Sequence, residues 1–172
     1  MINRVRQYFL TFFTIALFIG MLVSCGVYSF KDISIPPDVK TVKIGFLENR
    51  ARYINPQLSP KLTDKLQQKI TNQTRLSRTN NDDAHYIITG YIADDNITTA
   101  GISGQQASTN RLTIAVHITF RNTLSNKTQE YDITRNFDFD ARKTRQEAEQ
   151  GLNEEILKTM TDDIFNRIFS NW

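Results

Sequence analysis

The chain has 172 residues, with 21 Lys and Arg against 18 Asp and Glu, and a single cysteine, Cys25. The near balance of charge excludes a general nucleic-acid binder, and one cysteine excludes an internal disulfide or a thiolate metal cluster. The length allows one domain with a real core and little room for a second.

Residues 1–24 read as a leader rather than as part of the fold. Arg4 and Arg6 give a positive start, and residues 8–23 carry no charge and are dominated by Phe, Leu and Ile. A charged start followed by a short apolar core is the layout of a secretory signal peptide. A spanning helix would need roughly 20 apolar residues. The stretch Leu22-Val23-Ser24-Cys25 resembles the lipobox of bacterial lipoproteins. That resemblance implies a diacylglycerol on the Cys25 thiol, cleavage before it, and acylation of the new amine. One chain anchors only marginally at about 0.8 kcal/mol per buried methylene, whereas two or three anchor lastingly. An uncleaved N-terminal anchor with an incidental cysteine is the alternative. Losing the leader leaves 19 basic against 18 acidic residues. Residues 25–38 then form a lipidated tether, in which Pro36-Pro37 blocks a helix and Val27, Tyr28 and Phe30 offer apolar contact.

The domain proper is expected over 39–172. Residues 39–46 read as a strand with Val42, Ile44 and Phe46 on one side, followed by a polar connection over 47–56. A helix comes next, capped by Ser59 with Pro60 at its first position. Its apolar stripe is Leu58, Leu62, Leu66 and Ile70, and Leu76 extends it. Residues 80–83 are a polar turn, and 85–93 a strand. Residues 98–110, rich in Gly, Ser and Thr, read as a long flexible connection of the kind that often carries function.

Residues 111–121 are the clearest strand. Leu112, Ile114, Val116, Ile118 and Phe120 alternate with Thr113, Ala115, His117 and Thr119, the pattern of a sheet with only one covered face. A hairpin turn at 124–127 leads to a strand with Tyr131, Ile133, Phe137 and Phe139 on one side, where Arg135 interrupts. A helix from 144 to 169 closes the chain, with Ala148, Leu152, Ile156, Met160, Ile164 and Ile168 in one stripe. The order predicts an α+β fold, two helices packed on one face of a four-stranded mixed sheet in two layers. The face with Thr113, Ala115, His117 and Thr119 is predicted to stay free of helices.

No catalytic constellation is present: no metal-binding histidine pair, phosphate loop or nucleophile elbow. His85 and His117 read as surface residues, and Asp94-Asp95, Asp138 and Asp140 as solvated turn carboxylates. Arg142, Lys143 and Arg145 cluster before the last helix, with Arg135 one strand-length earlier. Such a group suits phosphates or anionic sugars. Taken alone, a solvated linker offset by Glu147 and Glu149 is the better account of it.

The mature start Cys25-Gly26-Val27-Tyr28-Ser29-Phe30 resembles the Cys-Gly-aromatic opening of the LptE family. The segment Asp38-Val39-Lys40-Thr41-Val42-Lys43-Ile44 is similar to that family's first strand, and Tyr131-Asp132-Ile133-Thr134-Arg135-Asn136-Phe137-Asp138-Phe139 to its last. The match runs over the whole mature chain and is nearest the Bacteroidota-type members. It implies two helices on a four-stranded sheet and no enzymatic activity. It also implies a large β-barrel partner, LptD, plugged by this protein as a 1:1 heterodimer, with lipopolysaccharide as ligand and the periplasmic side of the outer membrane as location. Gly26, in place of the Asp that retains lipoproteins in the inner membrane, agrees with that location. By this resemblance Arg142, Lys143 and Arg145, with Arg135, would meet lipopolysaccharide. Thr113, His117 and Thr119 on the open sheet face, and Gly101 and Gly104 in the 98–110 segment, would face the barrel. The family's second basic loop corresponds to 98–110, which here has no Lys or Arg. A free ligand-binding lipoprotein facing the periplasm, without a barrel, is the runner-up, and a lipid-anchored enzyme the third possibility.

Overall fold

Strict alternation from Leu112 to Phe120 builds the middle of the sheet. In the computed structural model, which describes residues 35–104 and 106–170, it lies in the longest run of strand pairing. The leader, Cys25 and the tether up to residue 34 lie outside the described residues. The elements are β1 (Thr41–Ile44), β2 (Glu48–Asn49), α1 (Leu58–Gln73), β3 (Ser77–Arg78), β4 (Tyr86–Ser103), β5 (Gln106–Asn122), β6 (Lys127–Asp140) and α2 (Arg145–Phe169). The sheet order is β3-β1-β4-β5-β6, with β2 also on β4. Strands β1 and β2 run parallel to β4, whereas β4, β5 and β6 are antiparallel neighbours.

The α+β class and mixed sheet hold, but the sheet has six strands rather than four. Both extra strands are two-residue pieces. Strand β2 follows the track of β1 along β4: Ile44 pairs with Ile88, and Glu48 resumes opposite Tyr91. Between them the chain bulges, with Gly45 N donating to Ile88 O at 2.8 Å. The bulge moves the inward position by one residue. Leu47 is therefore fully buried, its N–H donating to Thr63 Oγ1 at 3.1 Å, and Phe46, expected inside, is 58% exposed.

Helix α1 starts at Leu58, and Gln57 in the cap position makes no side-chain cap bond. Ser59 is thus not the cap but a buried first-turn residue, and Pro60 sits in the first turn, where N–H groups have no intrahelical acceptor. Leu76 lies beyond the helix, which Thr74 closes by donating its N–H to Ile70 O at 3.0 Å. Leu76 is nonetheless buried. Helix α2 is capped by Thr144: Glu147 N donates to its Oγ1 at 3.3 Å and Thr144 N donates to Glu147 Oε2 at 2.8 Å. This reciprocal pair satisfies two otherwise unpartnered groups. The two helices run side by side in parallel, since Lys61 meets Asn153, Lys65 meets Glu154 and Lys69 meets Asp162.

The core lies between these helices and the inward face of β4, β5 and β6. Leu62, Leu66 and Ile70 of α1 and Leu157, Met160 and Ile164 of α2 close over Ile88, Ile92, Leu112, Ile114 and Ile118, all at 1% exposure or less. The segment 98–110 is not a flexible connection. Strands β4 and β5 continue through it as a hairpin, with Ile102 opposite Ala107 and Ser103 opposite Gln106. The Thr residues that read as loop polarity are good strand formers, and Gly104, at φ +56°, marks the turn.

Two glycines give opposite expectations. A Cβ on Gly90 would sit 2.3 Å from His117 O across the strand pair, whereas one on Gly151, exposed in α2, meets nothing. Gly90→Ala should lower stability by about 1–3 kcal/mol through forced backbone movement. Gly151→Ala should raise it by about 0.5–1 kcal/mol, because alanine loses less entropy in a helix. Urea denaturation midpoints of the two variants check both signs.

Candidate functional site

The sheet face without helices is polar and paired within itself. Residues on β5 meet cross-strand partners on β6, where opposed side chains interact most closely. Arg111 forks onto Asp138 with Nε to Oδ1 at 2.7 Å and Nη2 to Oδ2 at 2.9 Å. Thr113 Oγ1 donates to Asn136 Oδ1 at 2.9 Å, and His117 Nδ1 lies 2.7 Å from Asp132 Oδ1. Thr119 stands opposite Glu130. Tyr91 of β4 packs against the His117 ring at 5.1 Å, and the Arg50 guanidinium covers Tyr91 at 4.5 Å. His117 is thus a member of a ladder. His85 accepts the Lys40 N–H on Nδ1 at 2.9 Å and fastens the entry to β1. No cluster of three or more metal-ligating residues occurs among the described residues.

Gly101 and Gly104 lie in the hairpin that prolongs this face. The ladder slips on both sides of Gly101, where a Cβ would stand 3.2 Å from Ser108 Oγ. From Asn96 to Asn110 the hairpin carries no charged residue.

The four candidate cations do not form one patch. Arg145 is drawn into the fold: its Nε donates to Glu149 Oε1 at 2.7 Å, and its Nη2 donates to the Asp95 carbonyl at 3.1 Å and to the Asp95 carboxylate. Its guanidinium stacks 3.5 Å from the centre of the Tyr53 ring. Arg135, on the helix side of β6, reaches Asp163 of α2 and forks onto its carboxylate. That contact explains a cation in the middle of an apolar stripe. Arg142 holds Asp140 through both Nε and its backbone N–H at 2.9 Å, which keeps the Asp140 carboxyl well below its usual range. Arg142 is itself 89% exposed, and Lys143 makes no ion pair among the described residues. This turn lies against the hairpin, with Ala141 N donating to Ser108 O. It brings together the two loop regions that the sequence keeps apart.

Asp95 was expected to be a solvated carboxylate and is 2% exposed. A register shift between Ile92 and Asp94 changes the parity of β4, so the inward positions pass from Ile88 and Ile92 to Asp95 and Ile97. The sequence holds that signal only as an Ile five residues after Ile92, out of phase with it.

Burial raises the Asp95 pKa from 3.8 to about 6, against the opposing pull of Arg145. A carboxyl whose folded pKa exceeds its unfolded one stabilises the fold when protonated, and that stabilisation fades as pH rises through about 4 to 6. Acidification from pH 7 to 5 should therefore increase stability by about 1 kcal/mol. The carboxylates of Asp138, Asp140 and Glu147 shift the other way, lowered by hydrogen bonds from Arg111, Arg142 and Thr144 respectively. Asp95→Asn should remove the gain, as read from urea midpoints at the two pH values.

Comparisons with known proteins agree with this architecture. A family profile described as "LptE: Lipopolysaccharide-assembly" matches residues 39–168. No curated protein matches the sequence significantly. Protein XCC0632 from Xanthomonas campestris superposes with a TM-score of 0.54 at 10% identity, covering 80% of this chain and 90% of that one. Rare lipoprotein B from Shewanella oneidensis gives 0.50 at 11% identity, covering 73% and 92%. At those identities the likeness establishes the shared fold, two helices laid on one face of a mixed sheet. The profile extends from the buried Val39 that leads into β1 to the last turn of α2, so the chain belongs to the LptE family of lipopolysaccharide-assembly lipoproteins.

Proposed function

We propose that the mature chain is a lipid-anchored, non-enzymatic subunit of the lipopolysaccharide translocon, held inside an LptD-like β-barrel on the periplasmic side of the outer membrane. The observation that carries this reading is the helix-free sheet face. It is broad, polar and already paired within itself through Arg111–Asp138, Thr113–Asn136 and His117–Asp132. Barrel lumens of this class are polar and wet. A surface that pairs most of its charges internally, Arg121 and Glu130 excepted among the described residues, can lie against such a wall with few ions left desolvated and unpaired. The uncharged hairpin prolongs that face and loses little by entering a confined space.

In this reading Thr113, His117 and Thr119 face the barrel wall, with Gly101 and Gly104 at the leading edge. Arg142 and Lys143 are the cations free to meet glycolipid phosphates. Arg135 and Arg145 hold the fold, and reach phosphate only by giving up Asp163 and Asp95. Cys25 carries the acyl chains, after removal of 1–24, and 25–38 is the tether. The rival reading, a free lipoprotein with a ligand between helices and sheet, would need a cavity there. Where Asp95, Leu112, Ile114 and Ile156 meet, the cavity is about 10 Å3, room for little more than a water molecule.

Affinity purification from membranes should recover a large barrel protein in about equal amount. Recovery of this chain alone, with native levels of barrel present, would defeat the proposal. Cys25→Ala should shift the protein from the membrane to the soluble periplasmic fraction. Arg142→Gln with Lys143→Gln should weaken lipopolysaccharide binding about tenfold, for two lost charge-assisted bonds, and leave the melting temperature unchanged. Equal binding in a direct titration would return these residues to a solvated turn.

A further inference from the structure

On the helix layer, directly after the 140–144 turn, a groove of about 380 Å3 lies where the two helices begin. Its walls are the connection before α1, the first turns of α1 and the first turns of α2. Tyr53, Asn55, Gln57, Gln146, Gln150 and Asn153 line it, five carboxamides around one aromatic ring. The volume is that of a small-ligand site.

The charged residues of the lining, Glu149 and Lys61, have opposite signs, and Lys61 makes no ion pair among the described residues. Glu149 accepts from Arg145 Nε at 2.7 Å and from Asn55 Nδ2 at 2.9 Å. Lys61 Nζ donates to Gln57 Oε1 at 2.9 Å and to Asn153 Oδ1 at 3.5 Å. No net charge remains to select an ion. Gln146 and Gln150 are exposed and have no side-chain hydrogen-bond partner among the described residues. Each carboxamide offers two N–H donors and a carbonyl acceptor, which matches a hydroxyl that both donates and accepts. Tyr53 is 40% exposed, and the Arg145 guanidinium, itself held by Asp95 and Glu149, backs one face of its ring. The ring is therefore braced on one side, and its exposed part suits the flat C–H face of a pyranose.

We infer that this groove binds a neutral hexose-type saccharide, with Tyr53 as the stacking platform and Gln146 and Gln150 as hydroxyl readers. The inference rests on these side chains and not on the barrel reading above. A saccharide can reach the site from two sources, the sugars of an envelope glycolipid or a free oligosaccharide, and the chemistry of recognition is common to both.

The test uses the full-length lipoprotein in detergent micelles with two probes: maltotriose, and a delipidated, dephosphorylated core oligosaccharide from lipopolysaccharide. Saturation-transfer NMR should show transfer to sugar ring protons, with half-saturation in about the millimolar range typical of an open, preformed groove. Gln146→Ala with Gln150→Ala should weaken binding about tenfold for two lost hydrogen bonds, without changing the melting temperature. Tyr53→Ala should abolish binding, and Tyr53→Phe, which keeps the ring, should retain most of it. Binding of the core oligosaccharide alone assigns the glycolipid as source. Binding of maltotriose, with or without the other, assigns a free neutral glycan. Absence of transfer from either probe, equal affinity in the double variant, or displacement of the sugar by inorganic phosphate overturns the inference. None of these outcomes bears on recovery of a barrel partner, so the two proposals fail separately.

Discussion

The structure depends on the register of β5. From Thr109 to Asn122 every residue is paired with β4 on one side and β6 on the other, so neither edge is free to slide. Side chains in a strand alternate, and a slip of one residue would exchange the entire inner set for the outer one. Leu112, Ile114, Val116, Ile118 and Phe120 would then face water, and Thr113, His117 and Thr119 would face two apolar helices. Burying each aliphatic side chain contributes about 1.5–3 kcal/mol, so five together make the alternative register inaccessible. Gly90 locks the pairing from the neighbouring strand, because only a residue without Cβ allows the His117 carbonyl so close. The open polar face is thus a consequence of how the core is fixed, and it does not need a partner to define it.

Charge in this domain follows partners rather than sequence neighbours. Arg142, Lys143 and Arg145 are close in sequence, yet they have three different electrostatic situations. Arg145 is drawn inward because Asp95 is buried and would otherwise be an uncompensated charge, which is among the most destabilising features a core can contain. Arg142 is held by a half-exposed carboxylate, a contact worth little in water. Lys143 has no carboxylate partner among the described residues. A cationic run in a sequence is therefore an upper bound on the cationic surface in the fold. The helices add to the inward pull on acids: both begin at the same end, and their N-terminal dipoles favour negative groups there, where Glu149 lies.

Much of the fold was legible because periodicity is a direct image of burial. The stripes of α1 and α2 and the alternation of β5 read correctly for that reason. Three features were not legible, and two of them are changes of phase. The bulge at 45–47 exchanged Phe46 for Leu47, and the shift after Ile92 turned Asp95 inward. The 98–110 segment was judged on its glycines and serines, whereas its threonines and its pairing made it a hairpin. A change of phase costs no composition and leaves only a displaced apolar residue as its trace. At the site level, the open face and the exposure of Arg142 and Lys143 were readable. The tie of Arg145 to Asp95 joins positions fifty residues apart, and the carboxamide groove joins the α1 and α2 regions; both are products of tertiary contact.

The placement of these surfaces lets them act together. The chain enters the domain where Lys40 N meets His85 Nδ1 and Arg75 holds the Ile35 carbonyl, beside the first residue of β4. The hairpin tip lies at the other end of the same strand, seventeen residues on, a span of up to about 55 Å at the usual rise per residue. The entry to the domain and the hairpin tip therefore lie at opposite ends of one continuous hydrogen-bonded ribbon. The carboxamide groove belongs to the helix layer, on the other side of the sheet from the polar ladder. Occupation of the groove leaves the ladder and the tip uncovered, since the packed core separates them. Under the proposed reading, a subunit anchored at one end and surrounded along its polar face would still present its helical side to a passing glycan.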